Sequence, residues 1–145
     1  MRPGLSILIL MLALVSCGTV LEPEDLSGEF VLQATPVILQ PDNGRLEIIA
    51  DTLRVRSDGS ATRVVAESFQ SEAGSYVDVR IEQYRYTIRR GTVEFAFVCP
   101  IHALMLCTPP PHIWGTPTST GLSLRSAIDP QARLEYERAH GVRAR

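Results

Sequence analysis

The 145-residue sequence contains no lysine, and all fourteen of its basic residues are arginines scattered along the chain. With sixteen acidic residues, the formal net charge is −2. This balance excludes the broad basic surface that binds nucleic acid, and we predict no nucleic-acid partner. Because 45% of the residues are hydrophobic and only 21% are charged, the composition also excludes a disordered chain.

The sequence also lacks the familiar motifs of catalytic sites. It has no G-x-S-x-G elbow, no H-E-x-x-H pair and no glycine-rich loop that could cradle a phosphate. Asp78, Glu82 and Glu94 alternate with apolar residues, so we assign them to a solvated strand face rather than to a catalytic pair. We therefore predict a protein that is not an enzyme and that uses no cofactor.

No apolar run is long enough to cross a membrane as a helix. The run at residues 5–15 has eleven residues, whereas a spanning helix needs about 20. It follows the basic residue Arg2, as in an export signal. It ends in Leu14-Val15-Ser16-Cys17, which resembles the lipobox of bacterial lipoproteins.

The lipobox resemblance implies that residues 1–16 are a signal peptide and that Cys17 becomes the acylated N-terminus. Several acyl chains would hold the protein firmly on a membrane. Gly18 stands where an inner-membrane retention signal has Asp, so we expect the periplasmic face of the outer membrane. Residues 17–26 are then a lipidated tether, whose last nine residues reach at most about 30 Å. The alternative is an ordinary secretory signal with a chance cysteine.

The pattern of residues 27–138 predicts a β-meander, and residues 139–145 are predicted to form a frayed tail. Asn-Gly and Asp-Gly are typical of hairpin turns because both central residues need positive φ. Four turn signals recur, and the first two contain these dipeptides: Pro41-Asp42-Asn43-Gly44, Ser57-Asp58-Gly59-Ser60, Ser71-Glu72-Ala73-Gly74 and Arg89-Arg90-Gly91. Eight strands are predicted, at residues 28–34, 37–39, 45–56, 61–70, 75–88, 92–99, 122–126 and 133–138. No segment has the period of a helix.

Segment 75–88 changes the phase of its apolar alternation. Val77, Val79 and Ile81 are followed by Tyr84, Tyr86 and Ile88. We interpret this change as a β-bulge near residues 82–83 that re-aims the side chains.

Long strands joined by tight turns favour an all-β, up-and-down antiparallel meander that forms a closed or nearly closed barrel. A β-sandwich of shorter strands is the alternative. Several segments resemble strands of small bacterial lipocalin-like lipoproteins: Gly28-Glu29-Phe30-Val31-Leu32, Asp51-Thr52-Leu53-Arg54-Val55, Asp58-Gly59-Ser60-Ala61, Tyr84-Arg85-Tyr86-Thr87-Ile88, Gly91-Thr92-Val93-Glu94-Phe95 and Leu134-Glu135-Tyr136-Glu137-Arg138. That resemblance implies an eight-stranded up-and-down barrel and carries over no catalytic residues.

Two functions suit such a barrel, because small barrels are either filled by side chains or hold one ligand. The first is a binding module for a small apolar ligand or for an envelope component. Its expected lining residues are Leu53, Val55, Val79, Ile81, Tyr84, Tyr86, Phe95 and Phe97. The second is a structural or interaction protein with a solid core that works through its surface loops.

The segment from Cys99 to His112 is the most unusual constellation. In an exported protein, Cys99 and Cys107 are expected to form a disulfide. The alternative is a zinc site built from Cys99, His102, Cys107 and His112. A third interpretation is that both thiols are free. We expect Trp114, which follows three prolines, to close one end of the barrel.

Overall fold

The computed structural model describes residues 26–100 and 107–139, which form one sheet of nine antiparallel strands. The strands are β1 (Gly28–Leu32), β2 (Val37–Leu39), β3 (Arg45–Val55), β4 (Ser60–Ser71), β5 (Gly74–Arg89), β6 (Thr92–Phe97), β7 (Ile113–Pro117), β8 (Gly121–Ser126) and β9 (Asp129–Arg138). Each strand from β2 to β8 pairs with the next strand along the chain, and β9 pairs with β1.

The sheet closes on itself through β1. Phe30 lies opposite Arg138 of β9 on one side and opposite Leu53 of β3 on the other. β2 pairs further along β3, starting where Val37 meets Ile48. β1 and β2 therefore occupy one strand position of the barrel. The break between them lies beside Pro36, which has no N–H to donate to the strand ladder. The result is a closed eight-stranded antiparallel barrel, which confirms the predicted fold class over the sandwich.

All four predicted turns lie between strands. Arg90 and Gly91 both have positive φ, 52° and 78°, as the hairpin turn that matches strand twist requires. Gly59 in the β3–β4 turn has a φ of 82°. These positive φ values explain why Gly59 and Gly91 stand at the turns of the meander.

Strand β7 was absent from the predicted strands. Its sequence, Ile-Trp-Gly-Thr-Pro, contains two residues that are depleted in strands, and Pro117 stands at its last position. Ile113 and Gly115 are buried, so the half-buried Trp114 lies on the opposite, outer face of β7. There it stacks on His112 with ring centroids 5.4 Å apart. The expectation that Trp114 closes a barrel end is therefore wrong.

The predicted bulge in β5 is also wrong. β5 pairs with β4 without interruption from Arg85 to Gly74. The register shift lies in β3 instead, around Ile49. Because β5 keeps one phase, its even-numbered residues from Arg80 to Ile88 face inward, and the odd-numbered ones face outward.

Apolar side chains fill most of the barrel. The fully buried ones are Phe30, Leu39, Leu53, Ala61, Val65, Val93, Phe95, Ile113, Leu122, Leu124 and Leu134. Together with the buried Tyr84 and Tyr86 of β5, they come from β1 through β9, so each strand position contributes to one continuous core.

Candidate functional site

The residues predicted to line a ligand cavity divide between two faces of the barrel. Leu53, Val55, Tyr84, Tyr86 and Phe95 are inside and at most 5% exposed. The half-buried Phe97 packs against the same core. Val79 and Ile81 lie on the outer surface, so their predicted place inside is wrong. The reason is the uninterrupted phase of β5, which turns every odd-numbered residue outward.

The aromatic members of this set contact one another. The Tyr84 ring meets the edges of Phe95 and Phe97, with centroids 6.1 and 5.9 Å apart. The Tyr86 ring lies 6.1 Å from Phe95. Leu53 and Val93 have no exposed area at all, and a void that held even one water would leave accessible area on its lining. Close packing therefore surrounds these side chains.

Charged side chains occupy part of the interior. Arg63 of β4 donates from Nε and Nη2 to Asp51 Oδ2 of β3, at 2.9 and 2.5 Å. Its Nη1 donates to Glu82 Oε2 of β5 at 3.2 Å. One guanidinium thus joins carboxylates from the strands on either side of its own.

Two tyrosines complete this interior charge cluster, which we define as Asp51, Arg63, Glu82, Tyr84 and Tyr136. The Tyr136 hydroxyl of β9 donates to Asp51 Oδ2 at 2.6 Å, and the Tyr84 hydroxyl donates to Glu82 Oε2 at 2.6 Å. Asp51 Oδ1 has no hydrogen-bond partner among the described residues. The cluster connects β3, β4, β5 and β9 across the inside of the barrel.

Burial and the neighbouring charges together set the protonation of the cluster. Burial would lower the pKa of Arg63, but the Tyr136 oxygen and the Asp51 carboxylate outweigh it and raise the pKa above the ordinary arginine value. Burial, aided by the Asp51 charge, raises the pKa of Tyr136. Burial and the hydrogen bond to Glu82 raise the pKa of Tyr84. Arg63 therefore stays charged and both tyrosines stay protonated donors.

A second pair lies next to this cluster. Arg80 of β5 donates to both Glu67 oxygens, its Nη1 and Nη2 each 2.9 Å away, and its Nη2 lies 3.4 Å from Glu82 Oε1. Burial raises the pKa of Glu67, although Arg80 opposes the change. Arg80 is partly exposed, so this pair connects the buried cluster to the surface.

The prediction that Glu82 lies on a solvated face is therefore wrong, and Asp51 and Arg63 were not singled out at all. A signal was present for each of them. Asp51 is in phase with Leu53, Glu82 with Tyr84, and Arg63 with Ala61 and Val65. Chemically, the cluster offers paired charges to its own members rather than to an open cleft, and its direct effect is to fix the register of four strands.

The outer surface of the β4–β5 hairpin is apolar where the interior is charged. Val77, Val79 and Ile81 are 72%, 64% and 69% exposed. Val64 of β4 lies directly opposite Ile81 and is also exposed. We call these four side chains the outer apolar face. Contiguous exposed apolar residues of this kind mark interaction sites more often than scattered single ones do.

The same part of β5 is an unpaired sheet edge within the described part of the chain. β6 pairs only with residues 84–89 of β5, and the Val98 N–H donates to the Gln83 carbonyl at 2.8 Å just beyond. Among residues 26–100 and 107–139, the part of β5 from Gly74 to Ile81 pairs with β4 alone. The Val79 N–H donates to the carboxylate of its neighbour Asp78 at 2.9 Å rather than to a strand. We call residues 74–81 the open edge of β5.

A disulfide joins Cys99 and Cys107, as predicted. It connects the end of β6 to the segment before β7. The alternative zinc site needs two free thiolates, which this bond removes. His112 stacks on Trp114, and His102 lies outside the described residues. Residues 26–100 and 107–139 contain no group of three or more His, Cys, Asp or Glu side chains placed to hold a metal ion.

The predicted signal peptide, Cys17 and residues 17–25 of the tether lie outside the described residues, as does the tail from residue 140. No helix in the described ranges is long and apolar enough to span a membrane. Comparison of the chain with models of known protein families, with curated proteins and with solved structures gives no match.

Proposed function

We propose that this chain is an exported, lipid-anchored envelope protein with a lipocalin-like barrel that binds another envelope protein through its outer apolar face. The observation that carries the proposal is the inversion of β5. Over residues 77–82, this strand turns valine and isoleucine to solvent and turns Arg80 and Glu82 toward the interior.

Folding alone does not account for this arrangement. Burying a valine or isoleucine side chain is worth about 1.5–3 kcal/mol, and the barrel forgoes this gain at Val77, Val79 and Ile81. It places charges inside instead, where each needs a partner to offset its desolvation. A protein surface that covers the outer apolar face would recover the forgone burial.

The interior gives less support to a carrier of small apolar molecules. The inward-facing residues expected to line a cavity pack against one another, and the charged side chains of Asp51, Arg63, Glu67 and Glu82 are also buried. The interaction protein with a solid core is therefore the better supported of the two functions considered from the sequence.

The sequence and the disulfide support the proposed location. The lipobox-like Leu14-Val15-Ser16-Cys17 supports acylation at Cys17. The bond between Cys99 and Cys107 suits an oxidising compartment such as the periplasm. A tether of about 30 Å at most would keep the barrel near the membrane, within reach of envelope proteins.

Site-specific photo-crosslinking in cells tests the proposal. A photoreactive residue replaces Val77, Val79 or Ile81 in turn, and Thr87, an exposed outward residue of β5, provides the control. We expect the same discrete adduct at the first three positions and none at Thr87. Mass spectrometry should identify an envelope protein, and Val64→Asp in the same chain should abolish the adduct.

Two results would overturn the proposal. One is the absence of a protein adduct at all three positions. The other is a stoichiometric small molecule released from the purified protein by organic extraction, which would restore the carrier function.

A further inference from the structure

We propose that the open edge of β5 pairs with the same edge of a second copy of this chain. The two strands run antiparallel about a twofold axis, with Val79 opposite Val79 of the second copy. This inference concerns backbone pairing at the edge, whereas the proposed partner binds the side chains of the outer apolar face.

The backbone of β5 is oriented for such pairing. The Tyr86 N–H points toward β4, where it donates to the Gly59 carbonyl, and the Gln83 carbonyl points the other way, to Val98. Neighbouring residues of a strand direct their backbone groups to opposite sides. Val77, Val79 and Ile81 share the phase of Gln83, so their N–H and C=O groups face the open edge.

The charges of β5 select the register. The sequence Val77-Asp78-Val79-Arg80-Ile81 alternates apolar side chains with charges of opposite sign. Centring the axis on Val79 places Asp78 of each copy opposite Arg80 of the other. Moving the centre to Asp78 or to Arg80 would place like charges opposite each other, which is destabilising.

The pairing also satisfies groups that the single chain leaves in a local arrangement. The Val79 N–H now bonds to the Asp78 carboxylate. In the pair, this N–H would donate to the Val79 carbonyl of the second copy, which frees the carboxylate to meet Arg80. The Arg80 side chain is 37% exposed while it holds Glu67.

An edge-to-edge contact of this length is small compared with the roughly 1,600 Å² of a standard interface. Its formation therefore depends on local concentration, which attachment of both copies to one membrane would raise. This step rests on the proposed anchoring. The pair would place two outer apolar faces side by side and so enlarge the surface offered to an envelope partner.

Cysteine crosslinking of the full chain in its membrane tests the register. Paired residues at the twofold axis have Cα atoms about 5.5 Å apart, within the roughly 4.4–6.8 Å that a disulfide spans. We expect Val79→Cys to form a disulfide-linked dimer on mild oxidation. The controls are Val77→Cys and Ile81→Cys, whose equivalent residues would lie about 13 Å apart across the axis.

Neither control should crosslink alone, but cells that express both variants together should give a mixed dimer, because Val77 lies opposite Ile81 of the second copy. The proposal is overturned if Val79→Cys gives no more dimer than either control or if all three crosslink equally. Photo-crosslinking to a foreign protein does not require this dimer, so each proposal can fail without the other.

Discussion

Arg63 is the residue on which the interior depends most directly. It is the cation that bonds both Asp51 and Glu82, and all three side chains are buried. Removing one partner of a buried ion pair leaves an uncompensated charge, which costs about 3–5 kcal/mol. We therefore expect Arg63→Met to lower the free energy of unfolding by this amount, measured by urea denaturation.

The matched control for Arg63→Met is Arg54→Met, because Arg54 forms an exposed ion pair with Glu29 at 2.7 Å. Exposed pairs contribute about 0–1 kcal/mol. Equal losses in the two variants would mean that the interior cluster does not stabilise the barrel as its geometry indicates.

Glu67 should make stability depend on pH. Its pKa is raised in the folded protein by burial, so the folded state holds the proton more tightly than the unfolded state does. The resulting stabilisation is complete below the ordinary glutamate pKa of about 4.3. It is lost as the pH rises through the higher pKa of the folded state.

The variant Glu67→Gln cannot lose this proton. Its stability relative to the natural chain should therefore increase as the pH rises from about 4 to 7. Urea denaturation at several pH values measures the difference, with the exposed Glu137→Gln as the control. A relative stability that falls over this range would contradict the assigned direction.

Residue-scale prediction from the sequence reached the cysteine pair but not the buried charges. Cys99 and Cys107 are recognisable because an exported chain rarely keeps two nearby thiols free. To predict that Asp51, Arg63 and Glu82 are buried together, one must know which strands are neighbours and which face of each strand points inward. The pairing of the consecutive strands β3, β4 and β5 brings Arg63 between Asp51 and Glu82, whereas Tyr136 of β9 reaches Asp51 because the barrel closes through β1.

At the scale of elements, turn chemistry was the most informative signal and apolar alternation the least. The Asn-Gly, Asp-Gly and Arg-Gly turns place β3 to β6 within a residue or two of the structure. In β5, however, apolar and charged residues alternate on both halves of the strand. Alternation alone does not tell which face is inside, so a change of face was interpreted as a bulge.

The disulfide acts on the segment that joins β6 to β7. Its cysteines are eight residues apart, and closing a loop of this size contributes about 2.5 kcal/mol in the chain-entropy model. We expect Cys99→Ala with Cys107→Ala to lower the melting midpoint by several degrees and to leave the barrel folded at room temperature. Calorimetry measures the shift.

A thiol assay on the unreduced natural protein is the companion experiment to the melting measurement. Two reactive thiols at Cys99 and Cys107 would contradict the bond, and an unchanged midpoint in the double variant would contradict its contribution to stability.

At the scale of the whole molecule, the sequence predicted the closed barrel because strand lengths and turn spacings are local properties. The missing β7 did not change the predicted number of positions, because the split first strand was counted twice. The proposed function was harder to reach from the sequence, since the proposal depends on which residues the barrel turns outward.

The proposed lipid anchor at Cys17 is the whole-molecule prediction that is simplest to test. Without the Cys17 thiol there is no acceptor for the acyl chains, so Cys17→Ser should accumulate as an unlipidated, mislocalised precursor. Mass spectrometry and membrane fractionation measure the two effects. If the serine variant partitions with membranes and carries the same added mass, Cys17 is not the site of lipidation.

Closure through β1 links the fold to the order in which the chain is made. Phe30 of β1 lies opposite Arg138 of β9. β1 therefore has both of its neighbours only after β9, the last of the described strands, has been synthesised. A chain that stops before β9 would present two unpaired edges at once, on β1 and on β8. Proteases that recognise extended backbone would then cleave incomplete molecules at these two edges, because only a chain that includes β9 has β1 and β8 paired on both sides.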